Sequence, residues 1–310
     1  MALLLLDSAS LYYRSYFALP ESITGPDGTP VNAVRGFLDT VAALVRDRES
    51  TSVIACWDVD WRPQWRVDLV PSYKTHRVAV DLTVDTTADD GSVEVVEEVP
   101  DTLAPQVTVL RTLLPLVGIP VAGAADAEAD DIIATLCVGG VADIASGDRD
   151  LLQLVDEETT VLFTGGTSAS RGGRPWQEFT PDVVREKYGV LPQHYADLAI
   201  LRGDPSDGLP GVKGIGEKTA VTLVNTFGGI QDIMRAARNE STGKPMTPAV
   251  RRKLLEAEAD LPAFDRVVRL APVRSFTPPS PLTPQVDAAR TFADQWGVLR
   301  SVDRLLDVIG

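Results

Sequence analysis

The acidic side chains of this chain gather in short clusters. Glu128, Asp130 and Asp131 fall within four residues in AEADDIIATL, Asp148 and Asp150 make an Asp-x-Asp step in SGDRDLLQLV, and Asp204 and Asp207 open GDPSDGLPGVKGIGEKTA. Two further aspartates, Asp7 and Asp58, close the apolar runs at 2–6 and 53–57. Carboxylates crowded in this way repel one another unless water solvates them or a cation bridges them. A set of oxygen donors suits a hard divalent ion such as Mg²⁺ or Mn²⁺. Each cluster also has a plainer reading. Acids in the first turn of a helix gain a few tenths of a kcal/mol from its dipole, and an aspartate after a strand is often a helix cap. A cap at Asp148 leaves Asp150 unexplained, and three strand-like runs each delivering an aspartate at the same end are hard to assign to chance.

Just after the last acidic pair comes a glycine-bracketed turn, Gly211, Val212, Lys213, Gly214, Ile215 and Gly216, which runs directly into a helix beginning Glu217, Lys218, Thr219. Such a turn presents backbone N–H groups, a helix dipole end and the Lys218 ammonium to one phosphate. Read alone it is only a tight turn. Beside a carboxylate cluster that can hold a metal, it suggests an enzyme that cuts nucleic acid.

These groups must be positioned by elements that the pattern also predicts. The apolar runs 2–6, 53–57, 142–146 and 159–163 read as buried strands, with helical patterns over 31–46 and 105–117 between them. Alternating strands and helices imply an α/β fold with a central, mostly parallel sheet and right-handed crossovers. In such sheets ligands bind beyond the carboxyl ends of the strands, which is where the aspartates fall. The 148–154 segment reads as a helix, and 164–175 as a mobile Gly/Ser-rich loop. Helices are expected over 181–188, 218–225, 230–238 and 248–257. A proline-rich connector over 272–284 leads to one or two amphipathic helices over 285–309 that pack on the main body. There is no internal repeat.

At 310 residues the chain can bury a large core. It carries 44% hydrophobic residues and a net charge of −15. That charge argues against a generic polyanion binder with a basic surface, so any DNA contact has to come from a focused basic strip. Acids gathered around a metal do not conflict with this, because the ion reverses the local field. No apolar run reaches membrane-spanning length, and the opening 1–6 is too short and lacks the basic start of a signal peptide. Cys56 and Cys137 have no CxxC spacing and read as buried reduced thiols of a cytoplasmic protein.

Taken in order, LLLLDSASLYYRSYFA, ACWDVD, PSYKTHR, AEADDIIATL, SGDRDLLQLV and GDPSDGLPGVKGIGEKTA closely resemble the bacterial 5′-3′ exonuclease and flap endonuclease family, also found as the N-terminal domain of DNA polymerase I. The resemblance covers about residues 3–270. No polymerase-sized segment follows, so the stand-alone form is expected. It implies a PIN-like α/β nuclease core over 1–175, a helical lobe with a helix–three-turn–helix DNA-binding element over 176–275, and a C-terminal helical extension over 276–310. Asp7, Asp58, Glu128 and Asp130 match the acids around a first metal, and Asp131, Asp148, Asp150, Asp204 and Asp207 those around or shared with a second. Arg14, Lys74 and Arg77 match basic residues that meet the scissile phosphate. The turn at 211–216 resembles the element that grips duplex backbone, in several relatives through a K⁺ ion held by main-chain carbonyls. The implied reaction is two-metal hydrolysis of DNA carrying 5′ ends, flaps or nicks, by a monomer, in replication and repair. His76 and His194 lie outside the acidic motifs and read as surface or capping residues.

Two departures stand out. Gly208 occupies a position where the family usually has Asn. Residues 78–99, where the family often has a basic arch, hold Asp81, Asp85, Asp89, Asp90, Glu94, Glu97 and Glu98 with no Lys or Arg. That composition favours a solvated loop or exposed hairpin that cannot itself grip a phosphate chain. Two other readings are a non-catalytic binder of DNA junctions, which the full complement of acids disfavours, and a ribonuclease or phosphatase with a similar core, which has no need of the duplex-gripping turn.

Overall fold

The computed structural model describes residues 3–50, 52–78, 97–165, 175–239, 243–270 and 272–309. Most of the acidic segment and the core of the Gly/Ser-rich loop, 79–96 and 166–174, lie outside these residues. Six strands form one sheet in the order β3-β2-β1-β4-β5-β6, with β1 Leu3–Asp7, β2 Ser52–Cys56, β3 Val121–Ala122, β4 Ala142–Ser146, β5 Thr159–Phe163 and β6 Gln177–Phe179. The first five run parallel and only β6 is antiparallel. The chain moves outward from β1 to β3 on one side, then returns to β4 on the other side of β1. The order therefore reverses between β1 and β4, and α/β sheets open a ligand crevice at such a reversal.

The leucine run of β1 shows why this strand is central. Leu4, Leu5 and Leu6 have no solvent exposure, and their side chains alternate between two cores, as a two-residue period requires. Leu4 and Leu6 join Phe37, Leu38, Leu110 and Leu113 from helices Asn32–Arg48 and Ala104–Leu116 on one face. Leu5 joins Ile132, Ile133, Leu152 and Val161 on the other. Helices Val286–Gln295 and Leu299–Ile309 cover the first face through Ala289, Val302 and Leu305.

A separate helical core holds the second half of the chain. Helices Tyr195–Arg202, Glu217–Phe227, Ile230–Arg238, Pro248–Glu256 and Leu261–Val268 bury Ile200, Leu223, Ile233, Leu254 and Phe264 together. Val70 and Tyr73, from the first half of the chain, pack into this core and tie the two parts together.

The helix expected after Asp148 is a short 3-10 segment, Asp150–Leu154, too brief for a regular α-helix between two sheet strands. Helices Tyr195–Arg202 and Leu261–Val268 escaped the reading; seven residues of the former are buried, so the amphipathic signal is lost. Cys56 is buried and Cys137 only partly so, and both are free. Among the described residues no helix is long and apolar enough to cross a membrane.

Candidate active site

The carboxyl ends of β1, β2 and β4 supply the first acids. Asp7 ends β1 and caps helix Ser8–Ala18, accepting the Ser10 N–H at 3.1 Å. Its other oxygen accepts the hydroxyl of Ser146 from adjacent β4. The same hydroxyl accepts the Asp148 N–H at 2.8 Å, while the Ser10 hydroxyl accepts the Gly147 N–H at 2.7 Å. Asp148 accepts the Asp150 N–H at 2.8 Å, so the Asp-x-Asp step is held as a fixed corner. Beyond β2, Asp58 accepts the Ala129 N–H at 2.7 Å and fixes helix Ala129–Leu136 against the sheet. Glu128 is the cap of that helix, in a reciprocal capping box with Asp131.

These groups face a cleft of about 210 Å³ lined by Asp7, Asp58, Glu128, Asp130 and Asp148 on one side and by Lys74, Arg77, Tyr13, Trp61 and Glu97 on the other. Burial pushes the Asp7 carboxyl up to about 7, and the neighbouring Asp58 and Asp148 charges add to it. Asp130 is held well above the ordinary carboxylate range by burial and by Asp148 and Asp7. Asp150 is raised in the same way by burial and by Asp148, Asp207 and Asp204. Glu128 rises only to about 6, since Lys74 and Arg66 oppose its desolvation. Among the described residues no three acidic, histidine or cysteine groups already form a closed cage for an ion. Yet the side chains of Asp130 and Asp150 receive no hydrogen bond or ion pair from these residues. Both are half-buried, and mutually repelling oxygen donors placed in this way are what a hard divalent cation fits.

The opposite wall is built on the loop after helix Gln64–Leu69. Lys74 is 9% exposed and adopts a left-handed backbone (φ 46°) that turns its ammonium onto the Glu128 carboxylate. Tyr73 donates its hydroxyl to Glu128 at 2.8 Å. Arg77 lies 3.5 Å from Asp207 and donates to the Ser206 carbonyl at 3.1 Å. The Lys74 N–H donates to the Asp207 carbonyl at 3.0 Å, and the Ser72 hydroxyl to the Gly208 carbonyl at 2.7 Å. The loop that carries the cations is thus stitched to the loop that carries the last two acids. Gly208 is what lets them approach: at φ +70°, a Cβ there would lie 2.1 Å from the Ser72 carbonyl oxygen. No asparagine side chain fits at this backbone.

Five of the nine expected ion ligands line the cleft. Asp150, Asp204 and Asp207 flank it: Asp150 and Asp207 both lie close enough to Asp204 and to Lys74 for those charges to act on them. Two of the expected residues lie elsewhere. Asp131 does not face the cleft: both of its oxygens accept from the Arg66 guanidinium at 2.8 Å. Arg14 does not join Lys74 and Arg77; it lines a separate cavity of about 360 Å³ between helices Ser8–Ala18 and Asn32–Arg48. The reading missed Arg66, Tyr13, Trp61 and Tyr73 as members of the site. It also counted Glu97 only among the charges of the acidic segment. Glu97 pairs across a β-bridge with Val78, which folds the foot of that segment back into the cleft. Burial and the facing Asp58 raise its carboxyl.

The glycine-bracketed turn folds as expected but divides its labour. Val212 and Ile215 are each 3% exposed and anchor the turn in the helical core, so only their backbone faces outward. Lys213 and Lys218 are exposed, Thr219 half-buried, and helix Glu217–Phe227 opens at Gly216. Gly214 needs its left-handed φ of +78°, and its carbonyl accepts the Lys253 ammonium at 2.7 Å. Gly216, the N-cap of that helix, has an ordinary φ of −89° with open space where a Cβ would sit, so no contact within the described residues requires a glycine there.

Comparison with known proteins gives a consistent result. Residues 2–189 match a family model described as the 5′-3′ exonuclease N-terminal resolvase-like domain, and residues 190–277 one described as the 5′-3′ exonuclease C-terminal SAM fold. A 5′-3′ exonuclease of Streptomyces coelicolor is 46% identical over 312 residues, covering 99% of both chains. A 5′-3′ exonuclease of Mycobacterium tuberculosis is 47% identical over 98% of this chain and 96% of its own. Among solved structures, a bacteriophage T5 flap endonuclease in complex with DNA and metal ions superposes with a TM-score of 0.61 at 18% identity, covering 100% of this chain and 99% of that one.

Proposed function

This chain belongs to the 5′-3′ exonuclease family, and from that premise we propose that it hydrolyses phosphodiester bonds of DNA bearing 5′ ends, flaps or nicks, in replication and repair. The observation that carries the reading is the meeting of acids from three strand ends, one helix cap and the 204–207 loop around a single cleft whose other wall holds Lys74 and Arg77. Asp7, Asp58, Glu128 and Asp130 would hold one Mg²⁺ or Mn²⁺ ion, with Asp148, Asp150, Asp204 and Asp207 around a second. Bound there, the ions would activate water and stabilise the leaving oxygen of an in-line displacement.

The chain's own side chains do the rest. Lys74 and Arg77 neutralise the scissile phosphate as charge builds on it. Lys74, whose ammonium rests on Glu128, would reach the phosphate by giving up that contact, and Glu128 is one of the residues that would hold the ion. Lys213, Lys218 and the open N–H groups ahead of helix Glu217–Phe227 take the duplex backbone. The ammonium of Lys253 already donates to the Gly214 carbonyl of that turn, where the family resemblance implies a K⁺ ion in several relatives. The cleft is completed within one chain, which supports a monomer, and two free cysteines support a reducing, cytoplasmic setting.

The test is incubation of 5′-flap, nicked, single-stranded and RNA substrates with Mg²⁺ or Mn²⁺. Cleavage of the flap and nicked DNA to 5′-phosphate products is expected. Binding without cleavage in either metal, or cleavage of RNA alone, would displace this reading.

A further inference from the structure

Arg66 is one of the largest fully buried side chains, 2% exposed, and no strand or helix end explains why a guanidinium should lie there. Its geometry does. One terminal nitrogen lies 2.8 Å from Asp131 and 3.3 Å from Glu128, the other 2.8 Å from the second Asp131 oxygen, and Nε donates to the Val267 carbonyl at 3.4 Å. The guanidinium groups of Arg66 and Arg266 each lie 4.5 Å from the Trp65 ring centre. The fork is therefore fixed by the helical core on one side and presented to the cap of helix Ala129–Leu136 on the other.

We infer that Arg66 and Asp131 act together as a positioning pair that sets Glu128 for ion binding, and that Asp131 is not itself an ion ligand. This rests on the nuclease reading above. Asp131 has both oxygens committed to Arg66, and one of them also accepts the Glu128 N–H at 3.3 Å. Glu128, by contrast, lines the cleft and is held by Arg66, Tyr73 and Lys74. Asp131 also balances charge. With it in place the Arg66–Asp131 pair is neutral, so Arg66 orients Glu128 without competing with a cation for it. Remove the Asp131 charge and Glu128 is the carboxylate left to pair with the guanidinium, which then competes with the cation for it. Partners that orient a ligand from behind it cost about 10–100-fold in metal affinity when removed.

The experiment measures Mn²⁺ binding by calorimetry without DNA, together with the Mg²⁺ concentration for half-maximal cleavage of a 5′-flap duplex. Asp131→Asn should weaken Mn²⁺ binding by about tenfold or more, while excess Mg²⁺ restores most of the wild-type rate. Asp130→Asn should not recover at any Mg²⁺ concentration. Arg66→Lys should shift half-saturation less than Arg66→Gln. The double variant Arg66→Gln/Asp131→Asn should be no worse than Arg66→Gln alone. An Asp131→Asn protein as unrecoverable as Asp130→Asn would make Asp131 a ligand and overturn the inference. So would Arg66 variants that lower the melting temperature without changing Mn²⁺ affinity. If Arg66→Gln does not fold, the isosteric Asp131→Asn decides alone. Wild-type protein that bound Mn²⁺ without cutting would refute the nuclease reading, and the Mn²⁺ comparison would still decide the positioning role.

Discussion

Replacing Gly208 with alanine should cost both stability and activity, because one backbone contact there aligns two walls of the cleft. The new Cβ would lie 2.1 Å from the Ser72 oxygen and 3.0 Å from its carbonyl carbon, both backbone atoms that cannot rotate aside. The left-handed backbone adds about 1–2 kcal/mol for any L side chain. To relieve the clash the 72–74 and 204–208 loops must part, which endangers the 3.0 Å bond from Lys74 N to the Asp207 carbonyl and the 2.7 Å bond from the Ser72 hydroxyl to Gly208. At about 1 kcal/mol for each bond, the total loss is about 3–4 kcal/mol. Lys74 moves with its loop, and a displacement of about 1 Å in a catalytic group can cost about a hundredfold in rate. Urea unfolding followed by circular dichroism reads the first effect; single-turnover cleavage at saturating Mg²⁺ reads the second. Gly208→Asn should fail similarly, since its Cβ meets the same oxygen. Gly216→Ala is the control: with an ordinary φ and open space it should change stability by less than about 0.5 kcal/mol. A Gly208→Ala protein as stable and as active as wild type would refute the claim that this contact aligns Lys74.

Metal-free protein should lose stability as pH rises from about 4 to about 7. Folded Asp7 holds its proton up to about 7 against 3.8 when free, so below 3.8 both states are protonated and nothing is lost, and above 7 the full penalty of a few kcal/mol applies. Saturating Mg²⁺ should flatten that slope, and a melting temperature in EDTA indifferent to pH would contradict it. Asp150→Asn removes a carboxylate that Asp148, Asp207 and Asp204 repel, so it should raise the metal-free melting temperature while cutting cleavage by orders of magnitude. Unchanged cleavage would remove Asp150 from the site. Gly216→Val should weaken duplex affinity with little effect on the single-turnover rate at saturating DNA. Equal losses on a short single strand that cannot reach the turn would count against its gripping role.

The sheet was legible because its strands are short apolar runs that end at aspartates, and Asp7, Asp58 and Asp148 sit where those runs predict. Asp131 was not. Its spacing from Glu128 marks both as one acidic cap, and only the fold brings in Arg66, a buried cation 65 positions earlier. Arg14 shows the converse limit, since its place beside Tyr13 in the chain does not tell which side of helix Ser8–Ala18 it takes. Gly208 reads in sequence as a missing asparagine side chain, whereas its cause is the Ser72 carbonyl, distant in the chain. Glu97 looked like one of seven solvated charges until the Val78 bridge turned it into the cleft. What the chain hides, in each case, is a long-range partner and not a local propensity.

The central claim is that carboxylates around this one cleft hold two divalent ions that cut DNA. The most direct measurement is the single-turnover rate on a 5′-flap duplex as Mg²⁺ is raised from EDTA-stripped protein. The account predicts no cleavage without metal and a rate that climbs with nearly the square of Mg²⁺ at low concentration, as two ions of one site require. It also predicts that Asp150→Asn abolishes that second-order rise. Cleavage that persists in EDTA, or that climbs with the first power of Mg²⁺ in both proteins, would contradict it.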